Sequence, residues 1–216
     1  MRYTDRVDAG RTLGPVVAER LAELPSAGSN PLVLGIPRGG VVVAREVATA
    51  VSGELGLALA RKVGAPGNPE LAIGAIGEYG EPIIDHDLVE RLGVTDDYLV
   101  ARVALERQEL ERRSRMYRGE GPAPQVAERA VIVVDDGIAT GATLQAVLDG
   151  IRGADPALLV CAVPVGAPDS VARISGHADL MICPSQPRWF RAVGEWYENF
   201  EQTTDREVLA ILDVSG

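Results

Sequence analysis

The chain has 216 residues, enough for one domain with a substantial core, and a formal net charge of −10 at pH 7, which argues against a nucleic-acid-binding surface. Its two cysteines lack metal-ligand spacing and lie in apolar segments, so we expect buried thiols in a reducing compartment. Neither a signal-peptide core nor an apolar run of membrane length occurs, so we expect a soluble, cytoplasmic protein without membrane contact.

The first third of the chain alternates helices with buried strands. The predicted elements are a helix over 12–24, strands over 31–36, 57–63 and 71–76, and a helix over 41–51. This rhythm predicts an α/β fold, with an open, mostly parallel sheet and helices on both faces, in a single domain over 1–216.

Residues 79–125 are interpreted as an insertion in that domain. They contain a long, arginine-rich helix for which Thr95 is the expected N-cap. The charged face of this helix is either solvated and laced with ion pairs, or it forms a cover or a homodimer contact near a functional site. Before the insertion, Glu70 and Glu78 flank the predicted strand over 71–76; both are expected to be solvated carboxylates, although either could orient a base, an amide or Mg²⁺.

The stretch from Val131 to Thr143 carries the strongest functional signal. Four β-branched residues predict a strand buried on both faces, Asp135 and Asp136 follow at its carboxyl end, and a loop of Gly, Ala and Thr opens into a helix. Ligands of open α/β sheets bind at the carboxyl ends of strands, and the first amides of a helix attract anions. The stretch therefore predicts a site for a phosphorylated sugar.

These thirteen residues resemble the signature of the type I phosphoribosyltransferases, whose fold is then expected for the chain. The resemblance implies that Asp135 and Asp136 hold the ribose hydroxyls of phosphoribosyl pyrophosphate. It implies that five loop residues bind the 5′-phosphate: Ala139, Thr140, Gly141, Ala142 and Thr143. The simpler alternative is a buried strand followed by an Asp-rich turn and a capped helix.

Two further segments are assigned to the pyrophosphate of the same donor. Arg38, Gly39 and Gly40 lie between a strand and a helix, where the family has its pyrophosphate loop, often with an unusual peptide conformation. Lys62, with Arg61 as the weaker candidate, is expected to end the second strand at the same sheet edge. For segment 38–40 the alternative is a tight turn that needs glycine, and for Lys62 it is an ordinary surface charge.

The last segment, 186–216, is interpreted as a hood over the sheet, because it concentrates most of the few aromatic residues. In the family a variable hood binds the nucleobase, so Trp196 and Tyr197 are candidates for base stacking. A small satellite core is the equally weighted alternative. Ala139 stands where 6-oxopurine members of the family carry an aspartate, so hypoxanthine and guanine are less expected as acceptors.

The resemblance implies transfer of ribose 5-phosphate from phosphoribosyl pyrophosphate to a nitrogen acceptor, expected to be a nucleobase, with release of pyrophosphate. Asp135, Asp136 and Arg38 are the expected catalytic residues. Mg²⁺ is the implied cofactor, bound through substrate phosphates near the two aspartates and without a dedicated protein cage. The alternative is a non-catalytic protein that senses the donor in a regulatory or interaction role.

Overall fold

The computed structural model describes residues 2–24 and 30–213, apart from the side chain of Glu70. The helices are α1 (Arg6–Ala22), α2 (Gly39–Val51), α3 (His86–Arg91), α4 (Asp96–Arg118), α5 (Ala142–Arg152), α6 (Pro168–Ile174) and α7 (Asp205–Asp213). The strands are β1 (Leu32–Gly35), β2 (Glu54–Leu57), β3 (Ala60–Ala65), β4 (Asn68–Gly77), β5 (Ile83–Ile84), β6 (Ala130–Val134), β7 (Leu158–Ala162) and β8 (Leu180–Ile182).

A five-stranded parallel sheet organises the chain, in the order β2–β1–β6–β7–β8. Residues of β6 alternate between its two faces: Val131 and Val133 pack with α5 and α6, whereas Ile132 and Val134 pack with α1 and α2. Full burial of each such side chain contributes about 1.5–3 kcal/mol. The predicted fold class, an open, mostly parallel sheet with helices on both faces, is confirmed.

The first helix begins at Arg6, six residues earlier than predicted, with Asp5 as its N-cap. Glycine has a low helix propensity, so Gly10 weakens the helical signal in the missed part, and Gly14 weakens it further along the helix. A Cβ on Gly10 would lie 2.8 Å from Cβ of Glu46, and one on Gly14 would lie 2.7 Å from Cβ of Ala50. Close packing of α1 on α2 therefore requires the residues that weaken the local helix signal.

The predicted strand over 57–63 is wrong, and so is the placement of 71–76 in the parallel sheet. The chain leaves the main sheet at the end of β2, and β3 and β4 form an antiparallel hairpin in a second sheet, β3–β4–β5. Gly67 turns this hairpin with φ +73°. A connection this short can join only antiparallel strands, whereas apolar spacing alone does not reveal a strand's partner.

The long helix of the predicted insertion is α4, with Thr95 as its N-cap: the Thr95 hydroxyl accepts a hydrogen bond of 3.3 Å from the Tyr98 amide. Its outer face carries ion pairs, as Arg112 and Arg113 both bind Glu109. Its inner face packs on the second sheet and on α7. Over the described residues, no helix is long and apolar enough to cross a membrane.

Candidate functional site

The carboxyl ends of β1 and β6 meet at the centre of the parallel sheet. Gly35 pairs with Val134, and the Ile36 amide donates to the Val134 carbonyl at 2.9 Å. From β1 the chain runs outward to β2, and from β6 it runs to β7 and β8 on the other side. This is the topological switch point at which open α/β sheets bind ligands.

The loops that follow β1 and β6 touch each other through glycine. A Cβ on Gly39 would lie 2.0 Å from Oδ2 of Asp136, and one on Gly40 would lie 2.8 Å from the Val134 carbonyl oxygen. Only residues without a side chain allow this approach. The structure thus brings the predicted segment 38–40 and the predicted acidic pair to one place.

The loop between β6 and α5 presents unpaired backbone donors. None of the five amides from Ala139 to Thr143 donates a hydrogen bond to another of the residues that the structure describes. Gly141, the N-cap of α5, has φ +71° and no side-chain cap. A run of free amides at a helix N-terminus is suited to an oxyanion such as phosphate.

Two side chains of α6, which the sequence did not point to, fix the direction of these amides. The Ser170 hydroxyl donates to the Ala139 carbonyl at 2.6 Å, and the Arg173 guanidinium donates to the Thr140 carbonyl. In a trans peptide the N–H points opposite to the C=O. Turning these carbonyls toward α6 therefore turns the amides of Thr140 and Gly141 away from it.

The acidic pair keeps free acceptor oxygens. Oδ1 of Asp135 accepts the Asp136 amide at 2.8 Å, and Oδ2 of Asp136 accepts from Arg6. The other oxygen of each carboxyl accepts no hydrogen bond from residues 2–24 or 30–213. Two carboxyls with one unpaired oxygen each can receive hydroxyl donors or a cation.

Burial and proximity both act on the protonation of this pair. Burial first, and then the neighbouring Asp136 charge, raises the pKa of Asp135 well above its ordinary value. Burial also raises the pKa of Asp136, while the hydrogen bond and charge of Arg6 act in the opposite direction. The two groups therefore have different electrostatic surroundings although they are adjacent in sequence.

Asp135→Asn should stabilise the fold at neutral pH. Because the folded-state pKa of Asp135 is raised, the folded protein binds more protons than the unfolded chain between the ordinary pKa and the raised one. The free energy of unfolding then falls as pH rises through that window, and the loss persists above it. The variant removes this loss, so its Tm should exceed that of the parent at pH 7.5. The increase should be about 2–4 °C for each kcal/mol of unfolding free energy that is regained. Below about pH 4 the difference should vanish, because the parent carboxyl is then protonated in both states.

Thermal melts from pH 4 to pH 8 measure this difference, with Glu120→Gln at an exposed position as the matched control. The control should change Tm little at any pH. An Asp135→Asn variant with an unchanged or lower Tm at pH 7.5 would contradict the assigned cost of burying this carboxyl.

Arg38 stands at the start of α2, after a cis peptide bond between Pro37 and Arg38. Its guanidinium lies 3.9 Å from Asp205 and is one-third exposed. Beside it is a cleft of about 320 Å³, lined by Pro37, Arg38, Arg112, Arg113, Met116 and Asp205. The long helix of the predicted insertion therefore borders the loop predicted to bind pyrophosphate.

Lys62 does not lie at the position predicted from the sequence. Lys62 does not end a strand of the parallel sheet but lies within β3, paired with Ala75 in the second sheet, and its side chain is exposed. Arg61 points to the other side and binds Glu106, which is 3% exposed. The predicted position was wrong because the strand that carries both residues belongs to another sheet.

The candidate role of Tyr197 in base stacking also has to be corrected. It is only 1% exposed, its ring packs on Tyr3 and Phe200, and its hydroxyl donates to the Asp136 carbonyl at 2.6 Å. No ring face is therefore free for a base, and the alternative of a satellite core describes this residue. Trp196 is half-buried and stacks on Phe190, with ring centroids 6.3 Å apart.

Glu70 and Glu78 were also expected to be solvated. Glu78 is not solvated as expected, because Arg118 binds it in a largely buried pair. The side chain of Glu70 lies outside the described residues. Among the residues that the structure describes, no group of three His, Cys, Asp or Glu side chains is placed to hold a metal ion.

Arg6 is a third residue, after Ser170 and Arg173, that sequence reasoning missed at this site. Its Nε donates to Oδ2 of Asp136 at 2.8 Å, across 130 positions of sequence. No local motif marks it, since an arginine in the first turn of a helix is ordinary. The site therefore combines segments 37–40 and 135–143 with one side chain from α1.

Comparisons with known proteins agree with this arrangement. The family model described as "Phosphoribosyl transferase domain" matches residues 4–200. A relative from Mycobacterium tuberculosis, provisionally named a phosphoribosyl transferase, is 45% identical over 214 residues. That match covers 98% of this chain and 46% of the relative, so the chain spans about half the length of the curated relatives it matches.

A solved structure is similar over the whole described fold. The crystal structure of TT1426 from Thermus thermophilus has a TM-score of 0.82 and 44% sequence identity, with 98% of each chain covered. The family match extends over most of the chain and includes both loops of the site. The chain therefore belongs to the phosphoribosyl transferase family.

Proposed function

We propose that the chain transfers ribose 5-phosphate from phosphoribosyl pyrophosphate to a nitrogen acceptor and releases pyrophosphate. The observation that carries this proposal is the row of five unpaired amides from Ala139 to Thr143 beside two carboxyls that keep free oxygens. An anion cradle next to hydroxyl acceptors matches a phosphorylated pentose, and it lies at the ligand-binding edge of the sheet.

The donor is proposed to lie across both loops. Its 5′-phosphate binds the amides of 139–143, and its ribose hydroxyls donate to Asp135 and Asp136. Its pyrophosphate extends toward segment 38–40, where the amides of Gly39 and Gly40 donate no hydrogen bond to a described residue and Arg38 supplies a cation. The contact of Gly39 with Asp136 supports a donor that spans the two loops without a gap.

The proposed reaction exchanges bonds at the anomeric carbon of the ribose. The bond to the pyrophosphate oxygen breaks and its electron pair leaves with pyrophosphate, while the acceptor nitrogen forms the new bond and gives up its proton. Positive charge then develops on the ribose, as in glycoside chemistry. Carboxylates beneath the ribose stabilise that charge, and Arg38 stabilises the charge on the leaving group.

The free oxygens of Asp135 and Asp136 also suit a hydrated Mg²⁺. In this proposal the metal would be held mainly by the phosphates of the donor and by water, with these two carboxylates as its protein contacts, as is usual for Mg²⁺. When bound, it would neutralise charge on the leaving pyrophosphate.

The acceptor is proposed to be a nucleobase that approaches from the hood side, with Trp196 as the remaining aromatic candidate for base contact. Ala139 supplies no carboxylate where 6-oxopurine members of the family have one. We therefore expect hypoxanthine and guanine to be poorer acceptors than bases that do not need a partner at this position.

Pyrophosphate release tests the proposal directly. The protein is incubated with Mg²⁺ and phosphoribosyl pyrophosphate against purines, pyrimidines and small amines, and donor binding is measured in parallel by calorimetry. Acceptor-dependent release supports transfer. Tight donor binding without release for any acceptor would favour the alternative sensing role, and absence of donor binding would overturn both.

Arg38→Ala should weaken pyrophosphate by roughly 10–100-fold and ribose 5-phosphate by less than about 3-fold, because a charged hydrogen bond contributes about 1.5–3 kcal/mol and only pyrophosphate would receive it. Calorimetric titrations with each ligand measure the two losses. Arg20→Ala, near the far end of α1, is the matched control and should change neither affinity. Equal losses for both ligands would refute the role of Arg38.

A further inference from the structure

We propose that Arg6 is a positioning residue of the donor site, which fixes the Asp136 carboxylate and orients its free oxygen toward the ribose. This inference rests on the proposed function, because it takes Asp136 to be a ribose ligand. Arg6 itself need not touch the donor.

Arg6 is held by three contacts. Its Nε donates to Oδ2 of Asp136 at 2.8 Å, its Nη1 donates to the Glu201 carbonyl at 2.7 Å, and its guanidinium carbon lies 4.0 Å from the ring centroid of Phe200. The side chains of Arg6 and Asp136 are only 12% and 17% exposed. A cation fixed in this way has one orientation toward the carboxylate.

The loop after β1 is shaped to leave room for this pair. A Cβ on Gly39 would lie 2.6 Å from Nε of Arg6 as well as 2.0 Å from Oδ2 of Asp136. The ion pair therefore lies directly against the proposed pyrophosphate loop. It links α1, the hood and both ligand loops at one point.

Stability alone gives a weak reason for such a pair. Removing two charges from water costs several kcal/mol per ion, and a buried pair often gains little over apolar side chains of similar size. The pair also leaves Oδ1 of Asp136 without a hydrogen bond from any described residue. An unpaired oxygen on a fixed, partly buried carboxylate is useful when a ligand supplies the missing donor.

The surroundings of Asp136 show which group can orient its carboxylate. The groups that face it are Asp135 on its own loop, Arg6 from α1 and Tyr197 from the hood, and the loop after β1 contributes the backbone of Gly39. Tyr197 donates to the backbone carbonyl of Asp136 and not to its carboxylate. Arg6 is the one cation among the described residues that contacts the carboxylate, so it determines where the free oxygen points.

Separate measurements of ribose 5-phosphate and pyrophosphate binding test the assignment. Each of these ligands, and phosphoribosyl pyrophosphate with Mg²⁺, is titrated at pH 7.5 into the parent protein, Arg6→Ala, Arg6→Gln and Arg6→Lys. We expect Arg6→Ala and Arg6→Gln to lose roughly 10–100-fold in affinity for ribose 5-phosphate and for the donor, and less than about 3-fold for pyrophosphate, because only the ribose uses the oriented oxygen of Asp136. Arg6→Lys keeps a charged donor and should recover most of the loss.

Arg2→Ala is the matched control, because Arg2 also joins the N-terminal segment to the hood, through the Tyr197 carbonyl at 3.2 Å, without contacting Asp136. It should leave the affinity for every ligand unchanged. Equal losses for ribose 5-phosphate and pyrophosphate in the Arg6 variants, or equal losses in the Arg6 and Arg2 variants, would make Arg6 merely structural and overturn the inference, as would parent-like binding of Arg6→Gln. If Arg6→Ala does not fold, the comparison of Arg6→Gln with Arg6→Lys decides. A parent protein that binds no donor would instead overturn the proposed function.

Discussion

Replacing both Asp135 and Asp136 with asparagine should abolish binding of phosphoribosyl pyrophosphate, with a loss of roughly 10²–10⁴-fold, while the fold stays intact. A hydrogen bond to a charged group contributes about 1.5–3 kcal/mol, and the variant removes the charge from two acceptors at once. Asparagine has nearly the same shape, so its carbonyl oxygen can still accept the Asp136 amide and the Arg6 guanidinium that the aspartates accept now.

Calorimetry with Mg²⁺ and the donor measures this loss, and circular dichroism with a thermal melt reports on the fold. Asp149→Asn is the matched control, since Asp149, on α5, pairs with His177 and touches neither ligand loop. The control should bind as the parent does. A double variant with parent-like affinity would show that the acidic pair does not hold the ribose.

The part of the site that follows β6 could be predicted because it is local in sequence. A buried strand, an acidic pair and a glycine loop follow one another within thirteen residues, and each obeys a rule that needs no distant partner. The loop after β1 was found for the same reason. Family resemblance then supplied roles that these patterns alone could not.

Contacts between distant segments could not be predicted in this way. Arg6 reaches Asp136 over 130 positions, and Ser170 reaches Ala139 over 31, without a periodic signal at either end. The sequence could not decide between base stacking and a satellite core for Tyr197, because exposed and buried aromatic residues look alike in sequence. The switch from β2 to a second sheet was missed because hydrophobic spacing does not specify a strand's neighbours.

Arg118→Met should be the most destabilising single change among those considered, with a loss of about 3–5 kcal/mol in the free energy of unfolding. The Arg118 guanidinium binds both carboxylate oxygens of Glu78, the Leu57 carbonyl and the Ser114 hydroxyl. The side chains of Arg118 and Glu78 are 11% and 6% exposed, so removal of the cation leaves a buried carboxylate without its counter-ion.

The position of this pair explains why its loss should affect more than one element. Glu78 is too deeply buried for water to replace Arg118. Its Oε2 also accepts a hydrogen bond of 3.0 Å from the Leu59 amide, where the chain passes from the main sheet to the second sheet. Arg118 ends α4. Breaking the pair therefore loosens α4 and the start of β3 together.

Urea denaturation of matched variants separates this effect from a general arginine effect. Arg115 lies one turn earlier on α4 and pairs with Glu111 at 3.7 Å, but the two side chains are 62% and 59% exposed, so Arg115→Met should cost less than about 1 kcal/mol. Adding Glu78→Leu to Arg118→Met should recover much of the loss, because it removes the unpaired buried charge. Equal costs at Arg118 and Arg115 would show that the Glu78 carboxylate is solvated after all, and that the junction between the two sheets is held by apolar packing alone.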